Sequence, residues 1–274
     1  MEFTKMQGTG NDYIYIDAIN QKIEKREELA IKLSDRHFGI GSDGIILICK
    51  SKKADFKMEI YNADGSQAEM CGNGIRCFGK FLYDNKLTNK REIKIETKCG
   101  IKTVYLNIKN NVVTSVTVDM GLPIFESRKI PTTIEKEYIK NYPLKFKDKT
   151  YRATCVSMGN PHTIIFTNNL EEINVKNDGS IIENSEYFPN KTNVEFAQVL
   201  NRNVVKMYVW ERGTGETLAC GTGACATVVA GIINGYLERK SMVILKGGTL
   251  FVEWGKNNKI YLTGDAVTVF KGKI

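Results

Sequence analysis

Two short stretches of this chain pair a thiol with a glycine-rich turn: Met70-Cys71-Gly72-Asn73-Gly74 and Ala219-Cys220-Gly221-Thr222-Gly223. In each, an apolar run at helical spacing follows. Ile75, Phe78 and Leu82 recur at i, i+3 and i+7, and Ala224, Val228 and Ile232 at i, i+4 and i+8. A helix N-terminus offers backbone N–H groups without intrahelical partners and about half a positive charge. Glycines there let an anion approach the backbone closely. A thiolate at such a position is expected to be stabilised, with a pKa below the free value of about 8.5. Each copy therefore joins a potential base to a cradle for a carboxylate. Two copies suit one reaction. A thiolate removes the proton from the carbon next to a carboxylate, and a thiol returns one to the opposite face, inverting the centre. Both helix ends would steady the charge that moves onto the carboxylate as the proton leaves.

Blander readings exist. Either copy alone reads as a tight turn beside a buried thiol. Gly221 to Ala226 also fits the G-x-G-x-x-A dinucleotide fingerprint, with a strand before it and Glu238 after it. Against that, about ten residues separate the strand from the glycines, where the fingerprint needs a tight turn. With seven cysteines, an odd number, and only two histidines, His37 and His162, neither a disulfide framework nor a zinc site is favoured.

The elements that must position these turns are mostly strands. Alternating or β-branched runs occur at 13–17, 45–49, 56–62, 93–97, 101–108 and 112–120. After a middle section they resume at 163–166, 194–200, 204–210, 242–246, 249–254, 260–263 and 267–271. Helical patterns are fewer: 26–34, a stretch near 179–184, and the two runs after the cysteines. Many strands with few helices indicate an α+β fold. The best break lies near Gly121-Leu122-Pro123, after a strand, and each half then runs strands, Cys-Gly-polar-Gly, helix, strands. This predicts two similar domains.

Composition is that of a globular protein, with 42% hydrophobic and 26% charged residues. No apolar run approaches the roughly 18 residues of a membrane span, and the first residues lack a signal-peptide core. A cytoplasmic protein without membrane contact is expected. The formal charge of +8 is spread through short groups such as 50–53 and 145–149, which read as solvated surface.

Further motifs run nearly end to end: Gly10-Asn11-Asp12, Arg36-His37 through Ser42-Asp43-Gly44, Asn62-Ala63-Asp64-Gly65-Ser66, the Cys71 motif through Arg76-Cys77, Met158 to His162, Asn193-Val194-Glu195-Phe196, and Trp210-Glu211-Arg212 through Gly223. In these the chain resembles the diaminopimelate epimerase family, cofactor-independent amino-acid racemases with two cysteines. The resemblance implies two domains, each a strongly curved, mostly antiparallel sheet around a central helix, with the active site in the cleft between them. It implies a first domain of residues 1–120 with 265–274, carrying Cys71, and a second of 121–264, carrying Cys220. It implies a small-molecule amino-acid substrate, no pyridoxal phosphate, no metal, no nucleic acid and a homodimer.

Residue roles follow from the same resemblance. Cys71 and Cys220 are the base–acid pair, with His162 and Glu211 assisting proton transfer. Gly72, Asn73, Gly221 and Thr222 hold the reacting α-carboxylate. Asn11, Asn62, Asn160, Asn193, Glu211 and Arg212 supply donors and acceptors for the distal amino-acid end, Arg212 through its two-pronged carboxylate geometry. The implied reaction converts LL-2,6-diaminopimelate to the meso form for lysine and peptidoglycan precursors. Gln7, Thr9, Tyr13 and Gly44 depart from the family pattern. Gln7 and Thr9, close to Asn11, motivate an alternative, a racemase of another amino acid such as histidine or proline. The net charge motivates a remote one, a nucleic-acid-binding protein on the same fold.

Overall fold

The structure, a computed structural model, describes residues 1–146 and 149–274, so Lys147 and Asp148 of the basic group at 145–149 lie outside the described residues. The described chain divides into two compact units, residues 1–119 with 263–274 and residues 120–262.

The first unit contains β1 (Glu2–Gly8), β2 (Asn11–Asp17), α1 (Arg26–Ser34), β3 (Gly44–Cys49), β4 (Phe56–Asn62), β5 (Gln67–Ala68), α2 (Gly72–Asp84), β6 (Glu92–Thr97), β7 (Gly100–Lys109) and β8 (Val112–Gly121). Strands β1–β2, β3–β4, β6–β7 and β7–β8 pair antiparallel. β2–β3 and β4–β6 pair parallel, so α1 and α2 are crossover helices. The second unit contains β9 (Tyr142–Lys145), β10 (Thr150–Ser157), β11 (Pro161–Phe166), α3 (Val175–Glu183), β12 (Asn193–Asn201), β13 (Val204–Glu211), β14 (Gly215–Thr217), α4 (Gly221–Ile233), β15 (Lys240–Leu245) and β16 (Gly248–Trp254). Its pairings repeat the first unit's: β10–β11, β12–β13 and β15–β16 antiparallel, β11–β12 and β13–β15 parallel. Even the short β5 beside β4 has its counterpart in β14 beside β13. After β17 (Ile260–Gly264), β18 (Val267–Lys273) pairs antiparallel with β1. The fold is α+β with two similar halves, alike element by element where the sequences are alike only at the cysteine motif.

α4 is apolar on nearly all sides because strands wrap it, and α2 buries most of its length while turning Lys80 and Asp84 outward. α2 packs on β1, β2, β3 and β7, and α4 on β10 to β13, β15 and β16. Ile75, Phe78, Leu82, Ala224 and Val228 are fully buried. Each large apolar side chain so placed contributes about 1.5–3 kcal/mol as an upper estimate. No helix among the described residues is long and apolar enough to cross a membrane.

Five strands escaped the sequence reading: β1, β9, β10 and the two very short strands β5 and β14. β1 buries Phe3, Thr4, Lys5 and Met6 in succession, and β10 buries Ala153 to Ser157. A strand covered on both faces loses the period of two that marks a half-exposed one. β9 is only four residues long. α3 begins at Val175, ahead of the expected 179, because Asn174 caps it by accepting the N–H of Asn177.

Charge clusters fasten the first unit. Lys5 and Arg36 pair with Asp12, and Arg26 and Lys57 with Glu59. Burial alone would raise both carboxyls, but Arg36 and Lys5 hold Asp12 below its ordinary 3.8, and Lys57 and Arg26 hold Glu59 below its ordinary 4.5. Both groups thus take up protons more readily in the unfolded chain. The stability they contribute is fully present above those ordinary values and is lost as pH falls through the lower folded ones. The urea midpoint should drop as pH falls from 4.5 to about 3, and less steeply in Asp12→Asn. Equal slopes for the two proteins would contradict the assignment.

Candidate active site

Both cysteines are helix N-caps in extended backbone, Cys71 at φ −134°, ψ 114° and Cys220 at φ −123°, ψ 115°. Each sulfur accepts the N–H three residues on, Gly74 at 3.2 Å and Gly223 at 3.3 Å. The thiol thus takes the place of the usual capping oxygen. The N–H groups of Gly72 and Asn73, and of Gly221 and Thr222, belong to the open first turns. A side chain at the third helical position would crowd a neighbouring one. A Cβ on Gly74 would come within 2.8 Å of Ile46 Cδ1, and one on Gly223 within 2.5 Å of Glu195 Oε1.

In the first unit Cys71 donates to Asn11 Oδ1 at 3.1 Å. Asn11 is oriented from behind, because its Nδ2 donates to Asp43 Oδ2 at 2.6 Å and Arg36 bridges Asp43 to Asp12. The Tyr13 hydroxyl is held in its protonated form by negative charge at Cys71, by burial and by Asp43. Asn73 turns its side chain inward, where Oδ1 accepts from Arg76 Nη1 at 3.0 Å, so it offers the turn its backbone. Asn62, at the end of β4, donates to Ser66 Oγ at 3.0 Å, and no measured distance among the described residues ties its side chain to the Cys71 group.

Sequence reading overlooked Arg76. Its side chain is fully buried and donates to the carbonyls of Asp265 and Gly72, to Asn73 Oδ1 and to Thr9 Oγ1. The signal was present: an arginine inside a helix whose other inward positions are apolar. Gln7 and Thr9, the departures from the family pattern, hold this same corner. Gln7 accepts the N–H of Gly10 at 2.9 Å, and Thr9 receives Arg76 at 2.7 Å.

In the second unit a continuous chain of contacts reaches Cys220. Its sulfur lies 3.4 Å from Thr222 Oγ1, which receives Asn160 Nδ2 at 3.3 Å. Asn160 Oδ1 is 3.0 Å from His162 Nε2, and His162 Nδ1 is 2.7 Å from Glu195 Oε1. His162 and Glu195 are wholly buried. Glu195 also went unassigned from sequence, although a carboxylate in the buried strand β12 is itself a signal. Glu211 accepts from Thr217 at 2.5 Å, and burial, reinforced by Glu195, raises its carboxyl. Asn193 is buried and structural in its contacts, donating to Pro161 O and accepting the N–H of Arg212. Glu183 accepts the N–H of Gly213, so two tethers hold this loop. Arg212 is exposed, and its guanidinium meets no acceptor among the described residues.

One expectation is corrected. The Cys220 thiol is pushed up, not down. Burial opposes its ionisation, Glu211 and Glu195 add negative charge, and the Thr222 and Gly223 contacts offset only part of this.

The comparisons bear on the whole chain. A sequence model for "Diaminopimelate epimerase" matches residues 3–126 and 154–269. A diaminopimelate epimerase of Methanococcus maripaludis is 55% identical, with 100% of this chain and 99% of the relative covered. One of Acetivibrio thermocellus is 50% identical over 100% and 98%. Among solved structures, a Bacillus anthracis phenazine biosynthesis protein of the PhzF family has a TM-score of 0.72 at 18% identity, covering 100% and 98% of the two chains. A probable proline racemase from Agrobacterium radiobacter has 0.70 at 12%, covering 100% and 92%. At these identities the two structures speak for the fold.

Proposed function

The chain belongs to the diaminopimelate epimerase family, and we propose that it interconverts LL- and meso-2,6-diaminopimelate by a two-thiol mechanism without pyridoxal phosphate. The observation that carries the mechanism is the repeated cradle, a cysteine N-cap with a Gly-polar-Gly first turn on equivalent helices of a duplicated fold. One sulfur takes the α-proton, charge moves onto the α-carboxylate, and the other sulfur returns a proton to the opposite face. The two sulfurs have then exchanged protonation states, and the centre is inverted. Cys220, kept protonated by burial and the Glu211 and Glu195 charges, is set to give a proton, which leaves Cys71 to take one. The first-turn N–H groups beside each sulfur hold the carboxylate as its charge grows. Glu211 tunes Cys220, and His162 and Glu211 together assist the two thiols in proton transfer.

For the distal end, the unengaged guanidinium of Arg212 fits a carboxylate, and the family motifs assign the amides Asn11, Asn62 and Asn160 to the same end. Asn193 serves by fixing the Arg212 backbone. Gln7 and Thr9 give no support to a different substrate, since both are occupied in holding the β1–β2 turn. The domains of this reading are those carrying Cys71 and Cys220, and the enzyme works in the cytoplasm as a homodimer.

The test is proton NMR in D₂O with reduced protein and no added cofactor. LL-diaminopimelate, L-histidine, L-proline and L-lysine are supplied in turn. Loss of the α-proton signal with diaminopimelate, with meso product appearing, is expected. A site built for a distal amino acid should turn over lysine at least about 10⁴-fold more slowly. Turnover of histidine or proline with none of diaminopimelate would overturn the substrate and keep the mechanism.

A further inference from the structure

We propose that Glu183 is a positioning residue for the distal end of the substrate: from α3 it fixes the backbone at Gly213 and so sets where the Arg212 guanidinium stands. The inference rests on the reading of Arg212 as the holder of the distal carboxylate and adds what aims it.

The turn between β13 and β14 is pinned at successive residues. The Arg212 N–H donates to Asn193 Oδ1 at 2.9 Å, and the Gly213 N–H donates to Glu183 Oε1 at 2.7 Å. The Thr214 N–H closes the turn on the Glu211 carbonyl at 3.1 Å. Gly213 has φ 74°, a conformation glycine adopts without strain. The first two bonds hold the two peptide groups that flank the Arg212 Cα, so the direction in which its side chain leaves the backbone is set. The guanidinium itself is exposed and meets no acceptor among the described residues. A side chain with a fixed root and a free end loses less freedom when it takes up a ligand than one on a loose loop.

Glu183 is only 3% exposed, and its second oxygen, Oε2, accepts the indole N–H of Trp210 at 2.7 Å. α3 lies flat on that indole. A Cβ on Gly179, one turn before Glu183 on the same helix face, would stand 2.5 Å from Trp210 Cβ. Charge compensation is slight, since Lys191 is exposed and comes only to 3.9 Å from Oε1. An apolar side chain would fill such a position at less cost to stability. What a carboxylate brings is two acceptors and no donor, which suits two N–H groups, one on the indole and one on the loop. Glutamine has the same shape but one acceptor, so its NH₂ must face one of the two donors.

The test is steady-state epimerisation of diaminopimelate, with the Tm of every variant recorded. Glu183→Gln should raise KM about tenfold and leave kcat within about threefold, because a contact remote from the reacting carbon is made alike before and during proton transfer. Trp210→Phe removes the competing donor and should stay within about threefold of the parent in both constants. In that background Glu183→Gln can turn its oxygen to Gly213, and KM should return to within about threefold of the parent, whereas Glu183→Met offers no acceptor and should keep KM about tenfold high. A carboxylate that only stabilises the fold would lower Tm and show no such recovery. Equal KM for the two double variants overturns the proposal, and this pair decides the matter even where Glu183→Gln alone does not fold. Failure of the underlying reading shows separately. A parent inactive on diaminopimelate, or an Arg212→Gln variant with unchanged KM, overturns both; an active parent and a raised KM in Arg212→Gln beside equal double variants overturns the role of Glu183 alone.

Discussion

Cys71→Ala and Cys220→Ala each lower kcat/KM for diaminopimelate epimerisation by about 10³-fold or more, in a protein that remains folded. General acid–base groups contribute about 10²–10⁴-fold each, and here the missing group is the sole proton carrier proposed for one face of the carbon. The structural cost is smaller. Each sulfur caps one helix N–H, and loss of a cap costs about 1 kcal/mol. Circular dichroism and a urea midpoint close to the parent's therefore accompany the loss of meso product in D₂O. Serine at either position keeps the cap but is a far weaker acid and base, so it should fail catalytically while restoring the midpoint. Epimerisation within tenfold of the parent by either alanine variant would sink the two-thiol assignment.

Arg76→Met is expected to destabilise the protein by about 3–5 kcal/mol, a large effect for a single substitution. Its four acceptors come from the β1–β2 turn, the first turn of α2 and the chain just before β18. Methionine fills similar volume and satisfies none of them, and each buried acceptor left without a donor costs about 1–3 kcal/mol, not additively. At 2–4 °C per kcal/mol for domains of about this size, Tm falls by roughly 10 °C. Arg76→Lys keeps the charge but not the fork and should recover less than half of the loss. A Tm within about 3 °C of the parent for Arg76→Met would show that the corner is held by something else.

What the sequence disclosed was local. The Cys71 and Cys220 turns and the helices after them could be read because cap, glycines and apolar period lie within a dozen or so neighbouring residues. The remote partners could not. Nothing near Cys220 in sequence announces that Glu195 arrives from β12, and the family motifs named Glu211 without its effect on the thiol, so the helix end alone suggested an acidic thiol where the assembled strands make a reluctant one. Arg76 and Glu195 were passed over for a related reason: a periodic reading treats one charge in an apolar run as an interruption, whereas full burial makes it a polar node. β1 and β10 disappeared because strands covered on both faces do not alternate. The family motifs supplied Asn193 and Arg212, but only the coordinates separate a buried amide that fixes a backbone from a guanidinium left open.

The pairing of β1 with β18 has a consequence for synthesis on the ribosome. Residues 120–262 are contiguous and can close on themselves as soon as they emerge. The unit that begins first waits for a strand made after all of the other. Until then β1 has an open edge and Arg76 lacks the Asp265 carbonyl, so the nascent first half carries an unfinished sheet through most of translation. The half bearing Cys220 is complete first and the half bearing Cys71 last, and a chain stalled before residue 267 holds one finished cradle and one that is not.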